Sequence, residues 1–333
     1  MVDQTPTLDS ILSNFDPGRI EITYYDWPER WELSLFDVGV SINVEGIIYK
    51  GRGIDSVEYL ALEKACSEAL ERCLVKRLKI PLSYSTAVHT SEDAARTAAY
   101  CEAFERDSFL VPFLLRQRPN ILERERFHHL LPSKVILPGV EFELLQLPVF
   151  DVNLYSFCLV AKGAGAPKPF GVIVGLGCSG ECLQAIKKSA NECLARLASV
   201  IHLEENDSEL KAELVDVIGD ETLTNEIHFK QALSLNYVPE FFFSKCSPSL
   251  PFDEIEKKRS GFQIQNSIEN CFEIQDRIGL GSNFSGIFFA AYKNPLLQPL
   301  FRGIANSNFL NLGRLNLRKE ELCMIENQIH PLG

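Results

Sequence analysis

Positive charge is scarce in this sequence. Its 33 lysines and arginines are outnumbered by 45 acidic residues, for a net charge of −12. That balance excludes a chain built chiefly to hold nucleic acid or an anionic membrane, though not a local basic pocket for a phosphate. Long apolar runs are missing as well. Stretches such as "FLVPFLL" at 109–115 are far too short to span a bilayer. None of the ten cysteines forms a CxxC pair, so the usual zinc-knuckle and thioredoxin spacings are excluded. No glycine-rich Walker loop is present. The opening "MVDQTPTLDSILSNFDPG" has no basic stretch leading into an apolar one. With scattered thiols, the expectation is a cytoplasmic protein with reduced cysteines. No low-complexity linker divides the chain, which predicts one α/β (α+β) domain over 1–333 with mixed sheets and long packed helices.

What is present is a short word written three times. It reads "ACSEALER" at 65–72, "AYCEAFER" at 99–106 and, more faintly, "SANECLAR" at 189–196. Each copy falls in a helical pattern. Residues 56–78 have helical spacing after strand-like alternation at 33–50 and a "GRG" turn at 51–53. Ser91 is the N-cap expected for a second helix running to about Leu115, with Glu92 and Asp93 in its first turn. "FGVIVGLG" at 170–177 reads as a strand before a third helix over about 181–203. Further strands are expected within 141–162 and at 285–292, a loop or short strand at 78–90, and helices near 208–218 and 221–234.

At 100° per residue, Ala94, Ala98, Cys101, Glu105 and Phe109 share one stripe, with Glu102 at its edge. Ala61, Ala65, Glu68 and Arg72 line up with Glu71 beside them, and Ala185, Ser189, Glu192 and Arg196 line up with Lys188 one turn earlier. A single Glu-to-Arg pair at i,i+4 would be an ordinary helix contact of about 0.2–0.5 kcal/mol. Three copies on small-residue faces place several carboxylates where burial costs dearly without a cation. Mg²⁺ prefers carboxylate and phosphate oxygens, and arginines suit phosphates. The pattern therefore points to a Mg²⁺–nucleotide site built from helices.

These residues resemble the YcaO family. "GRG" with "SEALER", "HTSEDAARTAAYCEAFERDSFLVPFL", and "CLQAIKKSANECLAR" after "VGLG" match its three motif helices. The middle stretch is similar to the azoline-forming branch of ribosomal peptide (RiPP) modification. The likeness is best over about 45–203 and weaker over 204–333. It implies a cyclodehydratase that phosphorylates a peptide-backbone amide oxygen with ATP after a neighbouring side chain has attacked the carbonyl. Thioamide formation by the same activation, or a non-catalytic scaffold of the same fold, are the alternatives. The resemblance implies Mg²⁺ on Glu68, Glu71, Glu102, Glu105 and Glu192. It implies phosphate contacts or carboxylate bracing by Arg72, Arg106, Lys188 and Arg196. It also implies a precursor peptide as substrate and a separate leader-peptide-binding partner, with a homodimer left open. The sequence departs from the family in three places: the short 73–101 connection, Lys64 where a serine is common, and the ending "HPLG" in place of a proline-rich tail.

Rival readings carry less. "GLGCSG" at 175–180 fits a dinucleotide fingerprint between strand and helix, but no acidic residue closes a following strand. The 34 residues from Glu68 to Glu102 equal a tetratricopeptide period, yet Pro81 and strand-like residues lie between. Cys178 and Cys182 are one turn apart and read as thiols rather than metal ligands. His89, His128 and His129 are left outside the site.

Overall fold

The computed structural model describes residues 20–26, 35–128, 139–149, 151, 153–166, 169–206, 232–237, 272–275, 287–301, 305, 308–326, 328 and 330–332. The helices expected near 208–218 and over most of 221–234 lie outside them. Strands β1 (Ile20–Tyr24), β2 (Phe36–Val44) and β3 (Ile47–Asp55) are followed by helix α1 (Glu58–Leu78) and β4 (Ser85–His89). Helix α2 (Glu92–Leu114) leads to β5 (Asn120–Leu122), β6 (Glu141–Leu147), β7 (Tyr155–Gly163) and β8 (Phe170–Ser179). Helix α3 (Cys182–Asn206), β9 (Phe272–Gln275) and β10 (Phe288–Tyr292) complete the main elements. The architecture is mixed α/β, with several sheets and long helices. Among the described residues no helix is long and apolar enough to cross a membrane.

The chain divides into two compact units. The first comprises Met1–Trp27, Ser34–Ala103 and Gln265–Asn294; the second comprises Pro28–Leu33, Phe104–Ile264 and Pro295–Gly333. In the first unit, β1-β2-β3 form one antiparallel sheet and β4-β10-β9 another. Alternation in β2 sends Val40 and Ile42 to one face, where they meet Ala65, Cys66, Ala69, Leu70 and Leu74 of α1. The same cluster takes in Val88 of β4 and Phe289 and Ala291 of β10, so α1 is buried between two sheets. A left-handed Lys79 ends it, its N–H bonded back to Lys76.

In the second unit β5-β6-β7-β8 form an antiparallel sheet. Leu145, Leu147, Cys158, Val160, Val172 and Val174 pack with Phe109, Leu110 and Phe113 from the C-terminal half of α2. Phe301, Leu310, Leu315 and Ile325 from the end of the chain close the same core.

Two local expectations are corrected. "GRG" is not a turn but the middle of β3. Its glycines are there for close approach. A Cβ on Gly53 would lie 1.9 Å from the Ala61 carbonyl oxygen, so α1 rests directly on the strand. On α2 Cys101 and Phe109 of the projected stripe are buried, as are Ala95, Ala99 and Ala103 beside it, whereas Ala94 and Ala98 are only half-buried. The buried face therefore extends one residue round from the projected stripe.

Candidate functional site

Strands β3, β4 and β8 each end a sheet among the described strands. An edge strand leaves a row of N–H and C=O groups unpaired. Along β3, helix α1 meets that row in order. Arg72 donates to the Lys50 carbonyl at 2.8 Å, Glu68 Oε2 accepts the Arg52 N–H at 2.7 Å, and Lys64 donates to the Ile54 carbonyl at 3.2 Å. Helix α3 treats β8 in the same way. Glu192 Oε2 accepts the Leu176 N–H at 2.5 Å and Lys188 donates to the Cys178 carbonyl at 3.1 Å. For β4, Glu102 Oε2 accepts the Thr86 N–H at 3.0 Å. In all three, the glutamate follows the amide it binds by 16 residues.

The repeated word is thus the helix half of an edge-strand clasp. A hydrogen bond from an amide to a charged carboxylate contributes about 1.5–3 kcal/mol. The ordinary Glu-to-Arg pairing is present as well: Arg72 binds Glu68 Oε1 at 2.5 Å and Arg196 binds Glu192 Oε1 at 2.7 Å. The glycines at 175 and 177 are likewise strand residues of β8. A Cβ on Gly177 would come within 2.0 Å of the Ala185 carbonyl oxygen. They serve helix packing, which removes the dinucleotide reading.

The second glutamate of each full word has other company. In the first unit, Glu71 Oε1 accepts the Thr86 hydroxyl at 2.7 Å. Thr86 therefore holds Glu71 through its side chain and Glu102 through its backbone. Glu68 stands one turn from Glu71 on α1. In the second unit, Glu105, Glu192 and Arg196 all act electrostatically on buried Cys158. Burial above all, then Cys193 and Glu192, with a smaller push from Glu105 and opposition from Arg196, keeps the Cys158 thiol well above its ordinary pKa. Arg106 is half-buried on α2. Cys178 and Cys182 are buried. His89 accepts the Ser91 N–H at 3.3 Å through Nδ1, beside the helix cap that Ser91 provides to Ala94.

Among the described residues no three His, Cys, Asp or Glu side chains are grouped as a ready-made metal cage. Carboxylate pairs are what the structure offers. Mg²⁺ bound with a nucleotide characteristically uses one or two carboxylates together with phosphate oxygens and water, so the donor set fits Mg²⁺–nucleotide.

Two functional candidates escaped sequence reasoning. Thr86 was legible only by carrying the repeat 16 residues upstream of each glutamate, where Arg52, Thr86 and Leu176 correspond. Asp107, next to Arg106, is buried and paired with Arg314 at 2.7 Å while accepting the Gln298 N–H at 2.7 Å. No local signal joins partners 207 residues apart.

A family model described as YcaO cyclodehydratase, ATP- and Mg²⁺-binding, matches residues 61–281. A search of curated proteins finds no match. Among solved structures, the chain is similar to the E. coli microcin synthetase McbBCD complex with pro-MccB17 bound. There the TM-score is 0.60 at 11% identity, covering 94% of this chain and 96% of that one. A heterocyclase in complex with substrate and cofactor gives 0.53 at 10% identity, over 94% of this chain and 55% of that one. A Methanopyrus kandleri YcaO bound with AMPPCP and Mg²⁺ gives 0.44 at 14% identity, over 56% of this chain and 64% of that one. The chain thus spans less than two thirds of the last two. At these identities the likeness to the microcin synthetase and to the heterocyclase is one of fold.

Proposed function

Because the chain belongs to the YcaO family, we propose that it uses Mg²⁺–ATP to phosphorylate a backbone amide oxygen in a ribosomally made peptide, leading to an azoline. The coarser statement, ATP-dependent cyclodehydratase-type chemistry on peptides, goes with the family. The observation that carries the reading is the extent of the match, since residues 61–281 contain Glu68, Glu71, Glu102, Glu105 and Glu192.

A Cys, Ser or Thr side chain of the peptide attacks the preceding carbonyl carbon. The oxyanion so formed takes the γ-phosphoryl group and ADP is released; phosphate then leaves with the former carbonyl oxygen as the amide nitrogen gives up its proton and the C=N bond of the azoline forms. Mg²⁺ supplies charge neutralisation on the phosphates. The protein's task is positioning and electrostatics. Glu71 and Glu102 of the first unit, and Glu105 and Glu192 of the second, are the carboxylates proposed to hold Mg²⁺. Glu68 clasps Arg52 and holds the α1 turn that presents Glu71. Arg106 is the proposed phosphate contact, with Arg72, Lys188 and Arg196 bracing carboxylates and strand edges. A leader-binding partner protein is proposed to deliver the precursor peptide.

Calorimetry with Mg²⁺–ATP is the first test. Glu71→Gln and Glu105→Gln should each weaken binding strongly in a protein that still folds, and unchanged affinity in both removes the site. With partner and precursor supplied, phosphate release should match loss of one water per modified residue, while exchange of oxygen for sulfur would mean a thioamide. The link from Leu78 to Ser85 is short, which favours a scaffold as the second reading. ATP binding with no change in any peptide's mass would establish it.

A further inference from the structure

The three clasps are alike in backbone geometry but not in the residue that is clasped. Arg52, Thr86 and Leu176 occupy the same place, 16 residues before their glutamates. Arg52 turns its guanidinium away to Asp37, with Nε 2.7 Å from Oδ1, and lies over the Tyr25 ring. Leu176 enters the apolar core of the second unit. Thr86 alone carries a hydroxyl, and it reaches a second carboxylate on a different helix, Glu71 of α1.

We infer that Thr86 is a positioning residue that sets Glu71 and Glu102 side by side for a divalent cation. The inference rests on the Mg²⁺–nucleotide reading above. The backbone N–H of Thr86 fixes Glu102 from α2, and its hydroxyl fixes Glu71 from α1. Two carboxylates drawn to one residue repel each other. The two donors of Thr86 offset part of that repulsion, which a divalent cation between the carboxylates would reverse. Thr86 is itself buried, at 8% exposure, and β4 is held in register by β10, with Thr86 opposite Ala291. The pair is therefore mounted on a sheet rather than on a mobile loop. Partners one step removed from a metal typically govern about 10–100-fold in its affinity.

The test separates hydroxyl from backbone. Thr86→Val keeps the shape and the N–H but removes the hydroxyl; Thr86→Ser restores it. With Mn²⁺ and ATP as probe, electron paramagnetic resonance of free Mn²⁺ should show Thr86→Val weakened about tenfold or more, with Thr86→Ser matching the parent. Thr86→Ala carries the same test should the valine variant fail to fold. Adding Thr86→Val to Glu71→Gln should cost little further, because the hydroxyl acts through that carboxylate. A purely structural hydroxyl would lower the melting temperature of Thr86→Val and leave Mn²⁺ affinity at the parent value, which overturns the inference. Fully additive losses overturn it too, as does a result in which only the serine variant folds. A parent that binds no Mn²⁺–ATP at all defeats the nucleotide reading itself, and the inference falls with it.

Discussion

Cysteine 193 sits one residue after a clasping glutamate, and its thiol is fully enclosed between α3 and the sheet, donating to the Ile173 carbonyl at 3.8 Å. Burial pushes its pKa up to about 12, with Glu192 adding to the shift and Arg196 opposing it. The unfolded chain would ionise the same thiol near the ordinary value of about 8.5. A group whose folded pKa is raised stabilises the fold fully below its unfolded pKa and loses that contribution as pH climbs to the folded one. Denaturant midpoints should therefore fall between about pH 8.5 and 12, more steeply in the parent than in a Cys193→Ala variant that still folds. A thiol reagent should label Cys193 only after unfolding, whereas exposed Cys323 reacts in the native protein. Equal pH slopes in parent and variant would refute the assignment. At this scale the sequence showed the charged word but not its use. A Glu at i and an Arg at i+4 look alike whether they face water or a strand edge.

The strand–helix clasp is the unit that recurs. Gly177 and Gly53 let the helix backbone descend onto the strand, and side chains spaced one turn apart then reach its edge groups: Lys64, Glu68 and Arg72 on β3, Lys188 and Glu192 on β8. A methyl group at 177 would have to displace the Ala185 carbonyl, 2.0 Å from an ideal Cβ. Gly177→Ala is expected to destabilise by about 1–3 kcal/mol, the usual cost of overpacking. Gly180→Ala, where the nearest atom is 3.7 Å away, is the control and should stay within about 0.5 kcal/mol. Urea unfolding of both variants decides it; equal losses would mean that the glycines are incidental. The helices themselves were legible because their pattern is local: α1 and α2 begin and end within a few residues of expectation. "GRG" was misread because glycine marks turns and close packing alike.

At the scale of the molecule, the end of the chain is tied into the second unit by one buried carboxylate. Asp107 accepts the Gln298 N–H and the guanidinium of Arg314. Gln298 in turn holds Phe309 and Asn311, and Asn311 caps the short helix Leu312–Leu315. His330 lies against Phe301 and Phe113 in the same core. Breaking a buried ion pair from one side typically costs about 3–5 kcal/mol, because the remaining charge is left unmatched. Arg314→Met should lose about that much stability in urea unfolding, and Arg314→Lys less. If Arg314→Met unfolds at the parent midpoint, the tie contributes nothing. The comparison with solved structures speaks at this scale as well, since a fold shared at 11% identity over 94% of the chain rests on arrangement rather than on particular side chains.

The sequence by itself determined the mixed α/β class, the three long helices, the Ser91 cap, the strand ahead of the third helix and the family likeness. All of these depend on neighbours within a few turns or on short contiguous words. Tertiary structure decided how far the buried face of α2 extends beyond Cys101 and Phe109, that "GRG" is strand, and that the first glutamate of each word holds a strand amide. It also decided that Thr86 joins Glu71 to Glu102 and that Asp107 meets Arg314. The physical reason is the same in each case. Periodicity specifies that a helix has an apolar side, whereas what a side chain binds depends on the element folded against it. That partner can be 16 or 207 residues away.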